Sequence, residues 1–197
     1  MQQFKSKDYV TILLVITNIA VYIFCTIQGN VLYNMGSLSV VDIIDRRDYY
    51  RILTSLFLHA NPQHIWGNMI FLAALGDMLE RSIGHGRFFA IYMLAGIGGN
   101  LLSMGHELAT GQFCSTIGAS GAVFGLIGAL LLLICKNNGT YGQISFRRMI
   151  FAIVYLFYSG IQSETTNNMA HLGGFITGFA VMAVFYCITR RRYKRIR

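Results

Sequence analysis

The chain of 197 residues has a single proline, only eight acidic residues, and four cysteines with no CxxC pair among them. Scarce proline leaves long helices uninterrupted. Charged residues make up 12% of the sequence against 54% hydrophobic, which excludes a disordered chain and points to the membrane class. Cys25, Cys114, Cys135 and Cys187 lack the spacing of a zinc site or a thioredoxin-like pair. The HExxH signature of zinc proteases is missing too, because His106-Glu107 is followed by Thr110 where the second histidine belongs. No pair of acids lies inside the apolar runs; Asp77 stands alone near the end of one, which excludes an aspartyl site. No metal or cofactor is expected.

What is present is apolar sequence in blocks. Six runs stand out, at roughly 10–27, 64–79, 88–105, 119–135, 148–162 and 169–189. A bilayer core ~30 Å thick needs about 20 helical residues, so each run is a candidate span. The fifth is squeezed hardest, between Arg147-Arg148 and Gln162. The first is too long for a clean signal peptide, and no small-residue cleavage site follows it. The expected fold is an all-α membrane bundle of six spans, with 1–197 as one domain and no soluble domain attached.

The net charge of +8 is unevenly placed. With the amino terminus inside, cytoplasmic segments hold 13 of the 16 basic residues: Lys5, Lys7, Arg81, Arg87, Lys136, Arg147, Arg148 and those of the tail RRRYKRIR. The outer loops hold Arg46, Arg47 and Arg51. This asymmetry predicts that both termini are cytoplasmic. A basic tail beside a span suits anionic lipid headgroups, and nucleic acid is not an expected partner. On this topology Cys25 and Cys114 both lie toward the outside, to pair or to pack free.

Polar groups within apolar spans are costly, so each is a functional candidate. The second run starts HIWGNMIFLAAL, with His64 and Asn68 at i and i+4 on one helical face. The fourth starts in GASGAVFG, residues 118–125, with Ser120 between glycines. The sixth starts NMAHLGGFITG, with His171. Even-numbered spans run in the same direction, so these four residues share one depth although far apart in sequence. Gly121 and Gly125, and Gly174 and Gly178, form small-xxx-small stripes that let two helix backbones approach closely in lipid. His171 shares a face with Gly174 and Gly178, so that packing carries its imidazole toward Ser120.

A serine hydroxyl becomes a nucleophile when an adjacent base removes its proton, and neutral imidazole titrates near working pH. Asn68, His64 and the Ser120 amide can supply oxyanion donors at a helix start. Glycine at 118 and 121 allows close backbone approach. No acid is placed to orient His171, so the arrangement reads as a dyad. Taken singly, Ser120 is a helix cap, His171 a cross-helix hydrogen bond, and His64–Asn68 an interfacial pair. Together at one depth they favour catalysis. The serine is not in GxSxG, because Ala122 stands where the last glycine should be.

These residues resemble the rhomboid intramembrane serine proteases over nearly the whole chain. Gly118-Ala119-Ser120-Gly121 matches GxSG; Ala170-His171 with Gly174 and Gly178 matches AHxxGxxxG; His64 to Asn68 matches HxxxN. Upstream, Arg51, Thr54, Phe57 and His59 fit the family's R-x-x-T-x-x-F-x-H segment, and Glu80 and Gly84 suit the end of the second span. The resemblance implies a compact six-helix fold around a water-filled cavity opening outward. It implies Ser120 as nucleophile, His171 as general base, and Asn68, His64 and the Ser120 amide as the oxyanion hole. It makes 28–63, whose YYRILTSLFLHA is amphipathic, the membrane-embedded first loop. Residues 163–168 become a cap over the site, and the fifth span borders lateral substrate entry. Two positions depart from the pattern: Tyr50 where tryptophan is common, and Phe124 where many members have tyrosine. Phe124, four after the serine, can still stack beneath His171.

The expected partners are therefore transmembrane protein substrates with helix-weakening glycine or proline near the cut, and the lipid bilayer. The minimal six-span form suits a bacterial inner membrane. The rivals are a small transporter or lipid-binding protein, and a non-proteolytic relative that chaperones membrane proteins.

Overall fold

A computed structural model describes residues 8–29, 31–163 and 166–194. Among the described residues, nine α-helices run in order. They are α1 (Tyr9–Gln28), α2 (Val31–Gly36), α3 (Val40–Arg46), α4 (Arg51–Thr54), α5 (Pro62–Ile83), α6 (His85–Thr110), α7 (Ser120–Lys136), α8 (Phe146–Ile161) and α9 (Asn168–Lys194). A 3₁₀ turn, Ser55–Phe57, extends α4. The one proline, Pro62, opens α5, where its missing N–H costs nothing, and Asn61 caps the same turn by accepting from the His64 amide at 2.8 Å.

Six of the helices are long, and three of these, α1, α6 and α9, are long and apolar enough to cross a membrane. Helix α7 is apolar but has 17 residues, about 25 Å of rise. Helix α8 has 16 residues, and α5 mixes polar groups into both of its ends. The expectation of an entirely helical chain needs one correction: β1 (Thr140–Tyr141) and β2 (Ile144–Ser145) form a short antiparallel hairpin before α8. Asn138, Gly139 and Gly142 take positive φ and make the turns that fold it. Helix α6 also runs past the expected end at 105 to Thr110.

Helix α7 is the centre, buried along almost its full length. Its glycines meet those of α9 at backbone contact. A Cβ on Gly174 would strike the Gly121 carbonyl, and one on Gly178 the Gly125 carbonyl. Helix α6 joins the same cluster, since a Cβ on Gly99 would meet the Ala170 carbonyl and one on Gly125 the Ala95 side chain. Around this knot Leu126, Leu130, Ile134, Ile91 and Tyr92 are fully buried.

At the end opposite the serine, the buried Glu80 carboxylate closes the first turn of α1. It accepts from the Val10 and Thr11 amides at 2.9 and 2.8 Å and from the Thr11 hydroxyl at 2.6 Å, and it also meets His85 Nδ1. A carboxylate on free helix amides suits both their hydrogen bonds and the helix dipole. At the serine end, the first loop is fixed by Arg51. Its buried guanidinium donates to the Asn34 and Ser37 carbonyls at 2.8 and 3.1 Å and pairs with Asp42 and Asp48. All four cysteines are free, Cys25 buried and Cys114 exposed. The expected cap over the site, 163–168, falls partly outside the described residues.

Candidate active site

Ser120 is the first residue of α7, and the cap position before it is Ala119, which makes no side-chain cap bond. Ser120 is therefore not spent as a helix cap. The segment that delivers it, 111–119, has little regular structure but is tied on three sides. Leu38 and Thr116 exchange backbone bonds at 2.9 and 3.0 Å, and the Gly118 amide donates to the Ser55 carbonyl at 2.9 Å. The Ala119 amide reaches His59 Nε2 at 3.5 Å. Gly118 sits at φ +128°, a backbone state that disfavours any side chain. A Cβ there would also lie 2.7 Å from His64 Nε2 and 3.8 Å from Ser120 Oγ. The His64 ring and the serine hydroxyl thus flank one glycine.

His171 lies in the first turn of α9, 8% exposed. Its ring stacks on Phe124 of α7, with centroids 4.1 Å apart and planes 11° from parallel. Phe124 is one turn beyond Ser120, so the stack sets the imidazole against the turn that begins with the serine. The expected loss of a tyrosine hydroxyl at 124 leaves this stacking in place. Nδ1 of His171 is buried with no hydrogen-bond partner among the described residues.

Asn68 is buried and donates one amide hydrogen to the His64 carbonyl at 2.9 Å, one turn back along α5. A primary amide has a second N–H to offer. His59, fully buried, packs edge-on against the His64 ring at 5.1 Å. Its Nε2 accepts a hydrogen bond, and burial pushes the His59 ring down to about 4, with His64 adding to the shift. His59 is therefore neutral near pH 7, a scaffold under the serine loop.

The structure thus brings Ser120, His171, Phe124 and His64 to one end of the bundle, with Gly121 and Gly174 at the backbone contact between α7 and α9. Asn68 faces inward from the neighbouring turn of α5. Sequence reasoning passed over a further polar set on α6. Asn100 donates at 2.8 Å to both the Ile52 carbonyl and Ser55 Oγ, binding the first loop to the bundle. Ser103 and the buried Glu107 bond at 3.1 Å. These residues are spaced i, i+3, i+7 on one face of an apolar helix, and that spacing was the available signal.

A family model of the rhomboid domain matches residues 46–187, most of the chain and all of the site. The chain belongs to the rhomboid family. It is 36% identical to RHOMBOID-like protein 1 of Arabidopsis thaliana over 156 residues, 78% of this chain and 39% of that protein. It is 33% identical to Rhomboid protease GluP of Bacillus subtilis (strain 168) over 141 residues, 72% of this chain and 27% of that one. It is also 30% identical to Putative rhomboid protease YdcA of the same organism over 163 residues, 82% of this chain and 76% of that protein. The chain thus spans well under half the length of the first two. As a rhomboid with three helices apolar and long enough to cross a bilayer, it is an integral membrane protein.

Proposed function

We propose that this rhomboid is an intramembrane serine endopeptidase working through a Ser120–His171 dyad. The observation that carries the reading is the His171–Phe124 stack beside the uncapped Ser120. It is supported by relatives whose names include protease. In this reading all six long helices span the membrane, both termini are cytoplasmic, and the serine end faces outward. Helix α7 is shorter than the ~30 Å apolar slab, so Ser120 lies below the surface under the first loop. A bacterial inner membrane suits this form.

The chemistry proceeds in two displacements. The Ser120 hydroxyl attacks the scissile carbonyl carbon as His171 takes its proton. The tetrahedral oxyanion accepts from Asn68 Nδ2, His64 and the Ser120 amide. His171 returns the proton to the leaving amine, and an ester to Ser120 remains. Water, deprotonated by His171, then attacks that ester; the bond to Ser120 Oγ breaks, His171 returns the proton to that oxygen, and the carboxylate product leaves.

Substrates in this reading are single spans of other membrane proteins. A helical span hides its carbonyls in hydrogen bonds, so glycine or proline near a small residue marks the cut. The test is labelling of the detergent-purified protein by a fluorophosphonate, beside Ser120→Ala and His171→Ala. Labelling of the wild type, lost in both variants, is the expected outcome. An unlabelled wild type with its fold intact overturns the reading.

A further inference from the structure

Asn167 lies immediately before α9, and its carboxamide is bonded at both its oxygen and its nitrogen. Its Oδ1 accepts from the Ala170 amide at 2.9 Å. Its Nδ2 donates to Ser103 Oγ on α6 at 2.6 Å and to Thr116 Oγ1 in the serine loop at 2.7 Å. Its backbone carbonyl accepts from the His171 amide at 3.2 Å. The carboxamide cannot be turned over, since that would face its NH₂ against the Ala170 N–H. The orientation fixes the rest. With Ser103 Oγ accepting from Asn167, its own proton points to Glu107 Oε1, 3.1 Å away. The buried Glu107 carboxylate also receives the Cys114 amide at 3.3 Å and its thiol at 3.6 Å. Donors therefore run in one direction, from the start of α9 to an acid that also holds the serine loop, a polarity that strengthens each bond.

We propose that Asn167 is a positioning residue that clamps the segment leading to Ser120 against the helix start bearing His171. Thr116 precedes Ser120 by four residues and Asn167 precedes His171 by four, so one side chain joins the two strands of chain that carry the dyad. Thr116 cannot drift to accommodate, because its backbone is paired with Leu38. This role rests on the dyad reading above, and it exceeds that of a helix cap, which needs only the bond to Ala170.

The test separates cap from clamp. Asn167→Ser keeps a good cap while losing the reach to Ser103 and Thr116. Ser103→Ala and Thr116→Val each remove one partner and leave the cap alone. On a single-span substrate containing a glycine-weakened helix, Asn167→Ser is expected to lower kcat by ~10- to 100-fold with KM unchanged, as for a sub-ångström misplacement. The two partner variants each lose a few-fold, and Asn167→Ser with Ser103→Ala falls no further than Asn167→Ser alone. Amide hydrogen exchange in 112–121 rises in Asn167→Ser, a readout independent of catalysis. Wild-type kcat in Asn167→Ser, or faster exchange confined to 166–171, would reduce Asn167 to a cap and overturn the clamp. A wild-type chain that neither labels nor cleaves sinks the protease reading instead, and the exchange experiment still decides the clamp.

Discussion

Helices α7 and α8 are consecutive and similar in length, yet the first is buried on nearly every side while the second buries only Met149 and Gly160. Hydrophobicity cannot explain the difference, because lipid solvates an apolar side chain as well as a neighbouring helix does. What differs is side-chain size. Helix α7 has Gly121, Gly125 and Gly128 facing glycines and carbonyls of α9, so backbones touch. Helix α8 presents Phe151, Val154, Tyr155 and Tyr158 outward. In this bundle, glycine decides which helices form the rigid core and which one stands as a wall beside it.

The comparison breaks most decisively at Gly178. A Cβ there meets the Gly125 backbone, which has no flexible end to yield, so Gly178→Val must part α7 from α9. The expected cost is ~3 kcal/mol or more, at the upper end of overpacking, with loss of fluorophosphonate labelling. Gly105→Ala on α6 is the control, since nothing lies within 4 Å of its Cβ. It should be neutral or stabilising by up to ~1 kcal/mol. Equal melting temperatures for the two variants would remove glycine as the organising residue.

Next in size is Gly118→Ala. Here the added methyl meets both a left-side φ and the His64 ring, so the strain falls on the site instead of the bundle. Labelling is expected to slow by about 100-fold, with the melting temperature moving much less than in Gly178→Val. A variant that labels normally would place Gly118 among ordinary loop glycines.

The core and the site differ in how far they could be read from residues. The positions of the long helices followed from apolar runs, and the α7–α9 contact followed from stripes at spacing four. The part of α6 was hidden, because Gly98 and Gly99 packing on Thr177 and Ala170 follows no repeat of four. Its extension to Thr110 was hidden as well. A charge such as Glu107 reads as the end of a span, and only the fold shows Ser103 and Cys114 satisfying it. The Leu38–Thr116 pairing joins single residues 78 apart, leaving no periodic trace. Conversely, the glycine and asparagine turn residues of NNGTYGQ are visible in the sequence, and they fold the hairpin between α7 and α8.

A smaller effect is expected from pH. His59 holds the serine loop as a neutral acceptor, with its folded pKa at about 4 against an ordinary 6.5. Between those values the unfolded chain binds more protons, so this contribution to stability is complete above 6.5 and is lost as pH falls toward 4. The melting temperature of the wild type should therefore decline across that window more steeply than that of His59→Gln. His64 faces the same ring and is common to both chains, so the difference between the curves isolates His59. Parallel curves would mean that the loop does not depend on it.

The finest test returns to α8. Phe157 is its aromatic link to the core, packing edge-on against Phe124 at 5.1 Å and Phe175 at 6.3 Å. Phe124 in turn carries the His171 ring. Phe157→Ala should cost ~1 kcal/mol through the lost aromatic pairs and slow labelling a few-fold, because the stack under His171 loses its edge support. Phe151 is 75% exposed, so Phe151→Ala should change melting by less than ~0.5 kcal/mol and leave labelling alone. If both variants behave like Phe151→Ala, α8 is a wall that only borders the site. If Phe157→Ala slows labelling beyond its cost in stability, the loosely held helix is coupled to the His171 imidazole through two aromatic rings, and its position bears on the proposed chemistry.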